Sequence, residues 1–331
     1  MNTLKSVGII GTGLYVPERV MTNFDLEKIV ETTDEWIISR TGIKERRIAS
    51  ENEACSDLAA KAAEKALQDA GVKAEEIDLV IVATITPDYG FPATAALVQD
   101  KIGAKNAAAF DLEAACTGFI YAAVTGANFI ATGMYKRVLV IGSEALSKIV
   151  DWQDRNTCVL FGDGAAAAVL GEVNEGEGII SYHLAADGSG GHYLDMPAGG
   201  SRNPATHETI DARMHYLKMK GQDVFKFAVN ALPETVQKSA EMAGINVSDL
   251  SLIVPHQANY RIISSAAKRL GIDAEKFYMN MDRYGNTSSA SVGIALDEAV
   301  KNGKISKGDY IALVGFGAGL TFGSCIIKWC K

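Results

Sequence analysis

The 331-residue sequence predicts an internally duplicated α/β fold, with two mostly parallel sheets covered by helices. Three observations carry this. Short apolar runs of strand length alternate with helical segments, and the same order of elements occurs twice. Each half also ends on a glycine-bearing turn followed by a strand: FGDGAAAAVL at 161–170 and FGAGLTFGSC at 316–325.

The opening residues, MNTLKSVGIIGTGLYVPERV, hold an apolar run suited to a first strand. They lack the longer hydrophobic stretch and small-residue cleavage site of a secretory signal. From Cys55 to Leu170 the pattern reads helix (55–70), strand (78–84), helix (92–102), strand (107–112), helix (116–132), strand (137–142) and strand (158–170). Ser56 and Asp57 open the first of these helices and Gly71 closes it, while Gly133 closes the third. The runs DLVIVAT and RVLVIG have the length and β-branched content of buried strands.

From Gln222 the order returns: helix (222–243), strand (250–254), helix (259–270), strand (276–280), helix (287–302), strand (309–315) and strand (320–328). The chain therefore divides into halves 1–174 and 175–331, with 172–221, rich in Gly, Asp and Asn, as a connection and pocket wall.

Composition narrows the function classes. With 48% hydrophobic and 22% charged residues the chain matches globular proteins rather than disordered or collagenous ones. No apolar run reaches the roughly 18 residues of a membrane helix. The nearest, Gly118 to Ile130, is interrupted by Tyr121, Thr125 and Asn128, so a soluble cytoplasmic protein without membrane contact is expected. A net charge of -8 argues against nucleic-acid binding but permits a local basic patch for an acidic partner. The cysteines, 55, 116, 158, 325 and 330, show neither a CxxC pair nor metal-ligand spacing with histidine. Gly8, Gly11 and Gly13 follow a strand, but Val16 and Pro17 stand where a dinucleotide fingerprint needs a further glycine.

Three polar residues follow directly after expected strands, where α/β folds place ligand chemistry. Cys116, in DLEAACTGFIYAA, opens the third helix of the first half, and the repeat relates it to Asn286, before the third helix of the second. His256 follows LSLIVP. A helix amino end favours thiolate, so a lowered Cys116 pKa is expected, although a free cysteine commonly only packs. Cys55 reads as a helix start, Cys158 and Cys325 as strand residues and Cys330 as terminal. His256 suits hydrogen bonding or proton transfer near neutrality, the alternative being a packed histidine. Asn286 alone would serve as a helix cap. A Cys-His-Asn set also occurs in cysteine proteases, against which the duplicated architecture speaks. His183, His192, His207 and His215 receive no role.

With these residues in place, the chain resembles the ketoacyl synthase III branch of the thiolase-like condensing enzymes. The resemblance rests on TTDEWIISRTGI (32–43), AACTGF (114–119), FGDGAAAAVL (161–170), PHQAN (255–259), GNTSSAS (285–291) and GFGAG (315–319). It implies a thiolase-like fold, layered α-β-α-β-α with two mostly parallel five-stranded sheets. It also implies joining of an acyl-CoA primer to malonyl-acyl carrier protein through an acyl-cysteine, without cofactor or metal. Ketoacyl synthases I and II resemble this pattern with a second histidine where Asn286 stands, and thiolases carry a second cysteine in the terminal glycine-rich loop, absent from GFGAGLTFG.

By the same resemblance, Cys116, His256 and Asn286 are catalytic, and the backbone N–H groups of Cys116 and Ala318 form the oxyanion hole. Trp36, Arg40, Arg155 and Asn259 would contact coenzyme A, and Lys226, Arg261, Lys268 and Arg269 would receive the acidic carrier protein. Phe91 would close the partner subunit's acyl pocket in a homodimer. The chain departs from some members at Ala318, in place of glycine, and at Phe322, where tryptophan is frequent. Neighbouring readings are a condensing enzyme of secondary metabolism, a hydroxymethylglutaryl-CoA-type synthase, or a non-catalytic acyl-binding paralogue, the last usually lacking the nucleophile.

Overall fold

The computed structural model describes residues 4–331. Its first sheet has the order β1 (Val7–Tyr15), β5 (Gly164–Glu172), β4 (Val138–Glu144), β2 (Leu79–Ala83), β3 (Ala108–Leu112). Four of these strands run the same way and β5 opposes them. The second sheet repeats the arrangement as β6 (Gly178–Ala186), β9 (Thr321–Lys328), β8 (Tyr310–Gly317), β7 (Leu252–Pro255), with β9 opposed to the rest.

Helices form the other layers. α1 (Cys55–Ala70) and α2 (Thr94–Lys101) pack outside the first sheet, where an alanine-rich α1 face lies on Val82, Ile141 and Val169. α4 (Gly221–Ala243) and α5 (Tyr260–Leu270) cover the second. Between the sheets run α3 (Gly118–Ala131) and α6 (Ala290–Lys301), whose apolar residues bury against both in one continuous core. A helix apolar around its whole circumference is stable only in such a position, so the thiolase-like α-β-α-β-α layering follows from the composition of these two segments.

The duplication and the mostly parallel sheets hold; three local expectations do not. The second sheet has four strands rather than five, because 276–280 is reduced to a single parallel bridge between Ile253 and Phe277. The short turn at Ala274–Lys276, capped by Asp273, takes up the chain that a strand would need. The connection contributes β6, partner of β9 and counterpart of β1, so 172–221 is not wholly irregular. Cys158 ends a short helical turn, Arg155–Cys158, and not a strand; the Asp154 side chain caps that turn, and β5 starts only at Gly164.

Asp57 binds the Ala54 N–H ahead of α1, and Gly71 ends that helix at φ 65°, as the capping pattern requires. No helix among the described residues is long and apolar enough to cross a membrane.

Candidate active site

Cys116 lies in a single tight turn, Ala115–Thr117, between β3 and α3, and is buried. Ala115 holds a left-handed φ of 44°, a strained conformation for a residue with a side chain. The turn is clamped from the second half: Thr321 Oγ1 donates to Ala114 O at 2.9 Å and lies 3.0 Å from Thr117 Oγ1. Gly317 lies so close that a Cβ there would stand 2.8 Å from Cys116 Cβ and 2.9 Å from its backbone N. The glycine-rich end of β8 thus brings the backbone of residues 317–319 alongside the thiol.

His256 follows β7 and is 1% exposed, with its backbone N–H bonded to Val314 O. Its ring meets Phe316 edge to face at 5.3 Å, and Nδ1 lies 2.6 Å from Ser291 Oγ at the start of α6. Asn286 is fixed by its backbone, which pairs with Leu160 O and Gly162 N, and its Oδ1 accepts from the Ser288 N–H at 2.8 Å. That bond leaves the Nδ2–H donors of Asn286 for the cavity.

Cys116, His256 and Asn286 all line one narrow cavity of about 90 Å³, together with Asn259, Phe316 and Gly317. A second, wider cleft of about 780 Å³ also reaches Cys116, and Ala318, Gly319, Thr321 and Ser288 are among its walls. The thiol therefore stands where a narrow channel and a wide one meet.

The expected lowering of the Cys116 pKa is not found. Burial pushes the thiol up to about 12, against the pull of Ser288 and of the Cys116 N–H, and buried Glu144 adds to the rise. Burial also pushes His256 down to about 3, so the ring is neutral and no imidazolium pairs with a thiolate. Loss of solvation outweighs the helix-end field here because Cys116 sits in a closed tertiary environment that its local sequence does not reveal.

The remaining expected site residues separate into groups. Arg40 and Arg155 place their guanidinium carbons 4.3 and 5.3 Å from the Trp36 ring centroid, forming one cationic aromatic cluster. Asn259 caps α5 by accepting from the Arg261 N–H and also lines the narrow cavity. Lys226, Arg261, Lys268 and Arg269 are exposed on α4 and α5, and none of them pairs with a carboxylate among the described residues. Phe91, 89% exposed, does not line either cavity of its own chain. No cluster of His, Cys, Asp and Glu fit to hold a metal occurs among the described residues.

Sequence reasoning missed Ser291, Ser288, Thr321 and Glu144. The two serines lie inside the GNTSSAS segment already singled out, but nothing local distinguishes a hydroxyl that meets a histidine from one that caps a helix.

A duplicated layered fold that gathers Cys, His and Asn between its halves defines a thiolase-like condensing acyltransferase. Two sequence families match, described as 3-oxoacyl-[acyl-carrier-protein (ACP)] synthase III over residues 110–188 and its C-terminal part over 240–329. The beta-ketoacyl-acyl-carrier-protein synthase III of Desulfitobacterium hafniense (strain Y51) is 58% identical over 98% of this chain and 98% of its own. The protein of that name from Clostridioides difficile is 55% identical over 99% of both chains. Among solved structures, 3-oxoacyl-acyl-carrier-protein synthase III of Aquifex aeolicus superposes with a TM-score of 0.91 at 48% identity, covering 98% of this chain and all of the other. The chain belongs to the beta-ketoacyl-acyl-carrier-protein synthase III family, the condensing acyltransferases of fatty-acid biosynthesis.

Proposed function

We propose that the chain starts fatty-acid synthesis by condensing a short or branched acyl-CoA primer with malonyl-acyl carrier protein to give 3-oxoacyl-acyl carrier protein. The observation that carries this reading is the convergence of Cys116, His256 and Asn286 on one narrow cavity. That channel suits a pantetheine arm, and the cleft beyond Cys116 suits an acyl chain.

In the first half-reaction Cys116 Sγ attacks the primer's thioester carbon, and the Cys116 and Ala318 N–H groups stabilise the oxyanion. Coenzyme A leaves and an acyl-Cys116 remains. In the second, malonyl-carrier protein enters the same channel. His256 Nε2–H and Asn286 Nδ2–H donate to its thioester oxygen while carbon dioxide departs, holding the enolate charge. The neutral state of His256 suits a hydrogen-bond donor that is not asked to give up its proton. The carbanion then attacks the acyl-Cys116 carbon and frees the thiol.

Trp36, Arg40 and Arg155 form the adenine and phosphate contacts of coenzyme A, with Asn259 at the pantetheine arm. Lys226, Arg261, Lys268 and Arg269 meet the acidic carrier protein, whose phosphopantetheine reaches the same channel. Exposed Phe91 closes the cleft of a second copy in a homodimer. The enzyme works in the cytoplasm and needs neither metal nor cofactor.

The test is intact-protein mass after mixing with acetyl-, butyryl- or branched acyl-CoA without malonyl donor, with peptide mapping. One acyl adduct on Cys116, absent from Cys116→Ala, is the expected result; no adduct from any primer overturns the priming role.

A further inference from the structure

Deep in the site, where β4 ends, Glu144 is fully buried, and no cation pairs with it among the described residues. Every contact given to its carboxylate is a donor. Thr86 Oγ1 donates at 2.7 Å, Thr84 Oγ1 and Ile85 N at 3.2 Å, and Ser289 N reaches it from the second half at 3.4 Å. Thr86 is held in that role because its own oxygen accepts from Ala145 N. The group is thus kept as an acceptor, which is the arrangement of a resident base.

Ser288 is the complement. It is 1% exposed and holds a left-handed φ of 46°, and its Oγ is buried with no hydrogen-bond partner. A buried hydroxyl left unpaired is costly and calls for an explanation. Ser288 and Cys116 line the same cleft, and the adjoining Ser289 N–H is the one that bonds to Glu144. The Ser288 hydroxyl lies near enough to both groups to favour the ionised form of each. Cys55 faces Glu144 from α1, and burial pushes its thiol up to about 12, so it does not compete for the proton.

We propose that Ser288 and Glu144 form a proton relay for Cys116 during acyl loading. This rests on Cys116 being the nucleophile, as proposed above. Cys116 Sγ–H passes its proton to Ser288 Oγ while Ser288 Oγ–H passes its own to Glu144. The thiolate forms a bond to the thioester carbon, and the C–S bond to coenzyme A breaks. The proton returns from Glu144 through Ser288 to the coenzyme A sulfur, which leaves as the thiol, and Glu144 is again a carboxylate. Burial raises the proton affinity of Glu144, which fits it for the acceptor's part. His256, held neutral and bonded at Nδ1 to Ser291, is left free for the condensation step.

The test compares two rates in the full-length enzyme: acylation by acetyl-CoA, read by rapid-quench mass spectrometry, and alkylation by iodoacetamide across pH. Alkylation needs thiolate but no relay. Glu144→Gln removes a negative charge beside the thiol, so its alkylation inflection moves to lower pH while acylation falls about 100-fold, within the range for a lost proton-transfer group. Ser288→Gly suits the left-handed φ and removes only the hydroxyl; it slows acylation about as much and leaves alkylation within a few-fold. Acylation within threefold of wild type in either variant overturns the relay. A parallel fall of acylation and alkylation also overturns it, as the mark of a merely structural role. Failure of the wild-type enzyme to form a Cys116 adduct refutes the nucleophile assignment instead, which separates the two readings.

Discussion

His256 Nδ1 stands 2.6 Å from Ser291 Oγ, a contact that joins the end of β7 to the first turn of α6. When Ser291 donates to Nδ1, the imidazole keeps its proton on Nε2, the nitrogen required to bind an enolate oxygen. Ser291→Ala frees the tautomer. The expected result is a fall of about tenfold in the condensation rate, with Cys116 acylation by acetyl-CoA unchanged. Equal loss in both half-reactions would argue against the tautomer role.

The same histidine makes the fold acid-sensitive. Its pKa is lowered from 6.5 to about 3, so above 6.5 both folded and unfolded chains carry it neutral. Between those values the unfolded chain binds a proton that the folded chain refuses, and stability is lost as pH falls. Thermal denaturation from pH 7 to pH 4 should therefore show a steeper decline for wild type than for His256→Asn. Parallel curves would assign the acid sensitivity to other groups.

Gly317 sets the distance between the terminal loop and the nucleophile. An added Cβ would overlap Cys116 Cβ and N at 2.8 and 2.9 Å, and backbone is an unyielding neighbour. Gly317→Ala is expected to cut acylation by about 100-fold, the scale of a displaced oxyanion donor, and to destabilise by about 1–3 kcal/mol through overpacking. Acylation kinetics with a denaturant titration would check both.

Arg46 is fully buried, and its guanidinium donates to Met21 O, Asn23 Oδ1 and Val159 O without a carboxylate partner. Burial lowers its pKa to about 10, still leaving it charged at neutrality. Arg46→Met strands three acceptors, each costing about 1–3 kcal/mol when unsatisfied. It also loosens Val159, one residue before the Leu160 carbonyl that holds the Asn286 N–H. Lower stability together with slower condensation is expected, from urea titration and a steady-state assay.

The exposed cations of α4 and α5 should act on the carrier protein alone. Charge reversal at Lys226, Arg261 or Lys268 is expected to raise the KM for malonyl-carrier protein about tenfold at low salt, with the difference shrinking at high salt. Acyl-CoA loading should not change. An equal effect on acyl-CoA would place these residues on the coenzyme instead.

Much of this was legible in the chain. The apolar strand runs, the capping pattern around α1 and the doubled order of elements gave the layers, because periodicity and capping are local. Cys116, Asn286 and His256 could be singled out because each follows a strand. The fifth strand of the second sheet was not legible, since residues 276–280 have the composition of a strand but take a capped turn and one bridge. Nor was β6, which draws its register from β9, nearly 150 residues away in sequence.

The sequence by itself determined the duplicated α/β architecture and the identity of the three polar groups at its strand ends, because those follow from residue type and spacing. Tertiary structure alone decided their chemical state. Closure of the two halves buries Cys116 and His256, so desolvation raises one pKa and lowers the other. It also brings Ser291 to the imidazole, and Ser288 and Glu144 to the thiol, from segments with no local mark of that meeting. Solvation and proximity are properties of the assembled fold, and they set what a cysteine, a histidine and an asparagine can do.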